Sequence, residues 1–124
     1  MILDTGVLIS AERNDRPSRE FLALIRRNGV RVVTTEAVIA QVVRSPPQVH
    51  LHRFLGAAVS EVVPLDHGRR VGALLTRSET SDVVDAHLVE LARRRRESVL
   101  TGDVDDLRHI AQANDLDVDI VAWP

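Results

Sequence analysis

Five short apolar runs, separated by stretches of helical periodicity, restrict this chain of 124 residues to very few folds. The first, Ile2-Leu3, stops at Asp4. The second holds Val30, Val32 and Val33, a β-branched set that suits a buried strand. Glu61-Val62-Val63-Pro64, Ser98-Val99-Leu100-Thr101 and Val118 to Ala122 complete the series. Strands joined through intervening helices pair in parallel, and their right-handed crossovers put helices on both faces of the sheet. The expected fold is therefore α/β, a three-layer sandwich with a central parallel sheet. At this length it forms a single domain over residues 1–124.

The helical stretches mark their own limits. Thr5 to Ala11 can start a helix directly after Asp4. Pro17-Ser18 opens a second, with Phe21, Leu22 and Ile25 on one face and Asn28-Gly29 as its stop. Thr34-Thr35 caps a helix over 36–44, which Ser45-Pro46-Pro47 ends. Residues 50–58 read as helical, and Asp66 caps a further helix through about Arg77. Ser81 begins a helix that ends near Arg96, where Val84, Leu88 and Leu91 recur at i, i+4 and i+7. Asp103 to about Asn114 is the last.

Composition removes several functions. There is no Cys, which excludes disulfides, thiol catalysis and Cys-ligated zinc. No apolar run reaches the roughly 20 residues of a membrane span, and no signal sequence opens the chain, so it reads as cytoplasmic. Every basic residue is Arg, a bias that genome composition explains more readily than phosphate binding does. The formal net charge of −2 argues against a protein that coats nucleic acid, while leaving room for a basic rim around an acidic hole.

Acidic residues stand where such a hole would form. Asp4 ends the first strand, Glu36 follows the second, Asp82 and Asp85 open a helix, and Asp103 follows Leu100-Thr101-Gly102. In an open α/β sheet, ligands bind beyond the carboxyl ends of the strands. Carboxylates gathered there repel one another and call for protons or a cation. Hard divalent ions such as Mg²⁺ or Mn²⁺ take oxygen ligands, so a metal site is expected. Each acid also has a plainer explanation. Asp4 and Asp103 occupy helix-capping positions, and Glu36, Asp82, Asp85 and Asp106 lie in first turns, where acids suit the macrodipole. Asp82 and Asp85 nevertheless share a helix face at i and i+3. Thr5 and Thr101 can position water or phosphate, although hydroxyls near helix starts usually cap.

The order of these short motifs resembles a PIN domain across essentially the whole chain. The resemblance rests on Asp4-Thr5 closing the first strand, an acid-bearing helix after the second, Asp85-Ala86 inside a central helix, and Thr101-Gly102-Asp103 after the fourth strand. The stretch Asp103-Val104-Asp105-Asp106-Leu107 also looks like the Thr/Ser-x-Asp-x-x-Asp-Leu segment of VapC-type toxins from actinobacteria. Such a likeness implies a metal-dependent endoribonuclease toxin, often a homodimer, acting on RNA and silenced by a cognate antitoxin protein. Its site would use Asp4, Asp85 and Asp103 in catalysis and as ligands to Mg²⁺ or Mn²⁺. Asp82 and Glu36 would be further ligands, and Thr5, Gln41, Thr101 and Asp106 accessories. The antitoxin's tail would lie in an apolar groove between the helix after Pro17 and that over 36–44.

One position departs from the pattern. The family's helix after the second strand carries a Glu about five residues beyond Glu36, where this chain has Gln41. At about 100° per residue the two side chains point about 140° apart, so Glu36 cannot stand in for the missing acid by a change of rotamer. Gln41 can ligate through a neutral carbonyl, and weaker metal binding is expected. An alternative is therefore a PIN-like module that binds RNA or a partner and cleaves weakly. A phosphoacceptor domain is disfavoured by the lack of any Lys near the last strands. Among weaker signals, Arg93 to Arg96 reads as a solvated helix end, His87 has no evident partner, and Trp123 reads as a packing anchor.

Overall fold

In the computed structural model, which describes residues 1–45 and 47–124, the five strands form one parallel sheet. The elements in chain order are β1 (Ile2–Leu3), α1 (Thr5–Arg13), α2 (Arg16–Asn28), β2 (Val33–Thr35), α3 (Glu36–Val42) and α4 (Val49–Ala58). They continue with β3 (Glu61–Val63), α5 (Gly68–Ser78), α6 (Val83–Arg95), β4 (Val99–Thr101), α7 (Val104–Ala113) and β5 (Ile120–Ala122). Every strand and helix read from the sequence is present. The stop expected at Ser45-Pro46-Pro47 falls partly on Pro46, outside the described residues. The helix itself ends earlier, at Val42, with Val43 as its cap.

Strand order is β3-β2-β1-β4-β5. Ile2 pairs with Val33 on one side and Val99 on the other, so β1 is central. Connections before β3 step outward in one direction, and the β3-to-β4 connection returns across the sheet. Right-handed crossovers accordingly put α1–α4 on one face and α5–α7 on the other. Helix packing agrees: α1 packs on α2, α3 and α4, while α5, α6 and α7 pack on one another. The groove expected between α2 and α3 differs in the structure, because α2 packs on α1 and α4. The order reverses between β1 and β4, and that switch point is where open sheets of this kind bind ligands.

The core is built from the strands and from α6. Ile2, Leu3, Val33 and Val99 are fully buried, and so is the run from Ala86 to Leu91. A helix buried on all sides must satisfy its polar residues internally. His87 does so through Nε2 with Asp66, at 3.0 Å, leaving Nδ1 without a partner among the described residues, and Glu90 does so with a two-pronged pair to Arg93 at 2.7 and 2.9 Å. These contacts correct two expectations. His87 has a partner, and the arginines ending α6 are not simply solvated. Arg93 holds Glu90, Arg94 holds Asp66, and Arg95 grips Glu61 through two bonds of 2.8 and 2.9 Å. Asp66 is consequently drawn away from capping: His67, in the left-handed region, occupies the N-cap of α5. Trp123 is an anchor as expected, its ring edge-on to Phe21 with centroids 5.4 Å apart. Among the described residues no helix is long and apolar enough to cross a membrane.

Candidate functional site

At the switch point the chain makes a short hydrogen-bonded bridge between β1 and β4. The Asp103 backbone N–H donates to Thr101 Oγ1 at 2.9 Å, and that hydroxyl donates to Asp4 Oδ2 at 2.6 Å. The other oxygen, Asp4 Oδ1, accepts from the Thr5 N–H at 2.6 Å and from the Thr5 hydroxyl at 3.3 Å. Asp4 is 2% exposed, so its carboxylate is fixed in position as well as capping α1. Both threonines thus position Asp4, rather than presenting free hydroxyls to a ligand. Gly6 helps close the gap: a Cβ there would lie 3.3 Å from the Gly102 nitrogen, so a side chain would make the β4–α7 turn give by a few tenths of an ångström.

The second arm of the site comes from α6. Asp82 is its N-cap and accepts the Asp85 N–H at 3.0 Å. Asp85 is half-buried, and its carboxyl has no hydrogen-bond donor among the described residues. Burial, followed by the charges of Asp82, Asp4, Asp106 and Asp103, pushes that carboxyl up from 3.8 to about 7. The charges of four acids, from the starts of α1, α6 and α7, thus act on one side chain. Asp103 occupies the N-cap position of α7 but makes no capping bond with its side chain, which is exposed. Asp106 is exposed in the first turn of that helix. Three helix N-termini, those of α1, α6 and α7, meet around these acids, and their partial positive charges offset part of the repulsion.

Glu36 and Gln41 are placed differently. Glu36 begins α3 at the carboxyl end of β2, one strand from Asp4, and is exposed. Its charge is not among the four that do most to shift Asp85. Gln41 is exposed near the end of the same helix. Among the described residues no three His, Asp or Glu side chains already stand together as a formed metal cluster.

A cleft of about 330 Å³ opens beside the acids, bounded by Thr80, Ser81, Asp82, Asp85, Asp106, His109 and Ile110. His109 escaped the sequence reading, although its place three residues after Asp106 put it on the same face of α7. Its ring is held by the Ser78 carbonyl, 2.8 Å from Nε2.

Solved structures share this fold at low sequence identity. The crystal structure of VapBC2 from Rickettsia felis bound to a promoter DNA fragment matches with a TM-score of 0.71 and 15% identity, over 99% of this chain and 98% of that one. FitAB bound to the IR36 DNA fragment matches at 0.65 and 15% identity, over 99% and 95%. FitAcB from Neisseria gonorrhoeae matches at 0.59 and 17%, over 97% and 95%. No curated protein shows a sequence match to the chain. The PIN domain family model matches residues 1–113, which include every acid around Asp85. The chain belongs to the PIN domain family.

Proposed function

We propose that this chain is a metal-dependent endoribonuclease toxin of a type II toxin–antitoxin pair, cleaving RNA phosphodiesters in the cytoplasm. The observation that carries the reading is Asp85, a half-buried carboxyl with no donor among the described residues, which shares a cleft with Asp82 and Asp106 and feels the charges of Asp4 and Asp103 as well. A site that holds protons against its own charge is one that a cation relieves. Its donor set is all oxygen, which suits Mg²⁺ or Mn²⁺ and not a soft metal. Asp4, Asp85 and Asp103 are the proposed catalytic carboxylates and principal ligands. Asp82 is a further ligand, and Glu36, at the neighbouring strand end, is placed for a second ion. When bound, the metal supplies Lewis-acid stabilisation and an acidified water for in-line displacement.

The chain's own residues prepare that chemistry. Thr5 and Thr101 hold the Asp4 carboxylate in one orientation, and Oδ2 keeps a lone pair free after accepting from Thr101. Asp85 and Asp103 spend no side-chain oxygen on the described structure. Asp106 and Gln41 are proposed accessories, Gln41 through its neutral carbonyl. The PIN family membership supports a nuclease, and the fold shared with the VapBC2 and FitAB complexes agrees with a toxin paired with an antitoxin; assembly as a homodimer is part of the proposal.

Gln41 keeps a second reading in view, a PIN module that binds RNA or a partner but cleaves weakly. Purified protein incubated with RNA separates the two. Cleavage that needs Mg²⁺ or Mn²⁺, stops with chelator and falls at least about 100-fold in Asp4→Asn is expected of the nuclease. Metal-independent binding without cleavage would favour the weaker module.

A further inference from the structure

We propose that the cleft beside the acids is a nucleobase subsite, in which a base flanking the cleaved phosphodiester stacks on His109. The proposal rests on the ribonuclease reading above and adds how that site would choose its sequence. Asp82 and Asp85 form one wall of the cleft, so an occupant abuts the proposed metal centre. At about 330 Å³ the space lies at the lower end of ligand sites, suited to one nucleotide and not to a folded segment.

The remaining walls match the chemistry of a base. Unstacked RNA bases are read by stacking on an aromatic ring, His included, with hydrogen bonds along their edges. Here the ring is His109, and Ile110, 1% exposed, is the apolar floor. Thr80 and Ser81 bring hydroxyls that donate or accept, while Asp106 can only accept when ionised. A carboxylate at the edge favours a base that presents an amine, as guanine, cytosine and adenine do and uracil does not.

The ring is held before any ligand arrives. A carbonyl accepts only, so His109 Nε2 carries the hydrogen toward Ser78, and Nδ1 is the other ring nitrogen. The two helices beneath it are tied as well: Asn114 Nδ2 donates to Leu74 O of α5 at 3.1 Å and to Ile110 O of α7 at 2.9 Å. A platform fixed in this way loses little freedom when a base stacks on it.

The test uses the full chain, Mg²⁺ and a set of short RNAs carrying each of the four bases at the positions flanking the cut. The wild type should disfavour uracil at one flanking position. His109→Ala should lower kcat/KM on the preferred RNA about tenfold and level the preference, with Mn²⁺ affinity unchanged. His109→Phe keeps a stacking ring but loses the bond to Ser78, and should recover most of the rate. An intact base preference in His109→Ala would overturn the proposal. So would a His109→Phe variant as impaired as His109→Ala, since the bond to Ser78 and not stacking would then explain the loss. Should the wild type cleave no RNA, the ribonuclease reading fails and the subsite stands or falls on an NMR titration with GMP, CMP and UMP. Shifts at Thr80 and His109 with GMP or CMP exceeding those with UMP would support it, and none would overturn it.

Discussion

Asp85 is the residue on which the site turns. Its carboxyl titrates near 7 in the folded chain because it is partly buried among Asp82, Asp4, Asp106 and Asp103. In the unfolded chain it titrates near 3.8. Between those values the native state holds a proton that the unfolded state has released, so stability falls as pH rises from about 4 to about 7 and then levels. Asp85→Asn removes this dependence. In chelator at pH 8 the variant should be about 1–2 kcal/mol more stable than the parent, after allowance for solvent screening of a half-exposed group. Urea unfolding across that pH range tests it, and parallel pH profiles for the two proteins would contradict it. Asp4, by contrast, is a poor probe of charge alone, since it also caps α1 and accepts from Thr101. The sequence marked both acids, because each sits beside a local boundary between strand and helix. It could not show that Thr5 and Thr101 both serve Asp4, because the partner of Thr101 lies 97 residues away.

Among the elements, α6 carries the longest stretch of interior and the acids that face the site. Burial pushes the Glu90 carboxyl up, but the Arg93 hydrogen bonds and the charges of Arg93, Arg70 and Arg94 outweigh it and hold the group below its ordinary range. Glu90 is 0% exposed, so taking away its main partner leaves a buried charge whose remaining ion pair among the described residues is Arg70, 3.2 Å away and largely in solvent. Arg93→Ala should cost about 3 kcal/mol. Glu90→Met, which removes the buried charge together with the need for a partner, should cost less. Denaturant titration with an unchanged m-value is the check, and equal losses would show that packing rather than charge decides. The helix's span and its apolar positions Val84, Leu88 and Leu91 were legible from periodicity. Its polar partners were not. Asp66, Glu61 and Arg70 come from other elements, and spacing along one helix says nothing about them.

At the scale of the whole molecule, the net charge of −2 conceals a division between layers. Residues 5–58, which supply α1–α4, hold eight Arg and four acids, whereas residues 59–124 hold eight Arg and thirteen acids. An acidic site bordered by a basic layer suits a polyanion whose phosphates are held on one side and whose cleaved bond needs cations on the other. Arg19 and Arg53 flank a cleft between α1, α2 and α4. Arg53→Ala should weaken RNA binding about equally for all sequences and reduce the salt slope of log Kd by about 1, leaving metal affinity alone. A sequence-dependent loss would contradict a simple phosphate contact. The overall architecture was the most legible feature, because strand–helix alternation and the handedness of crossovers leave few topologies. Whether Asp4, Asp85 and Asp103 share a divalent ion is decided by anomalous diffraction from crystals grown with Mn²⁺. The expected result is a peak about 2.0–2.4 Å from oxygens of all three carboxylates, with none there in Asp85→Asn. A map with manganese elsewhere on the protein, and none among these three acids, would contradict it.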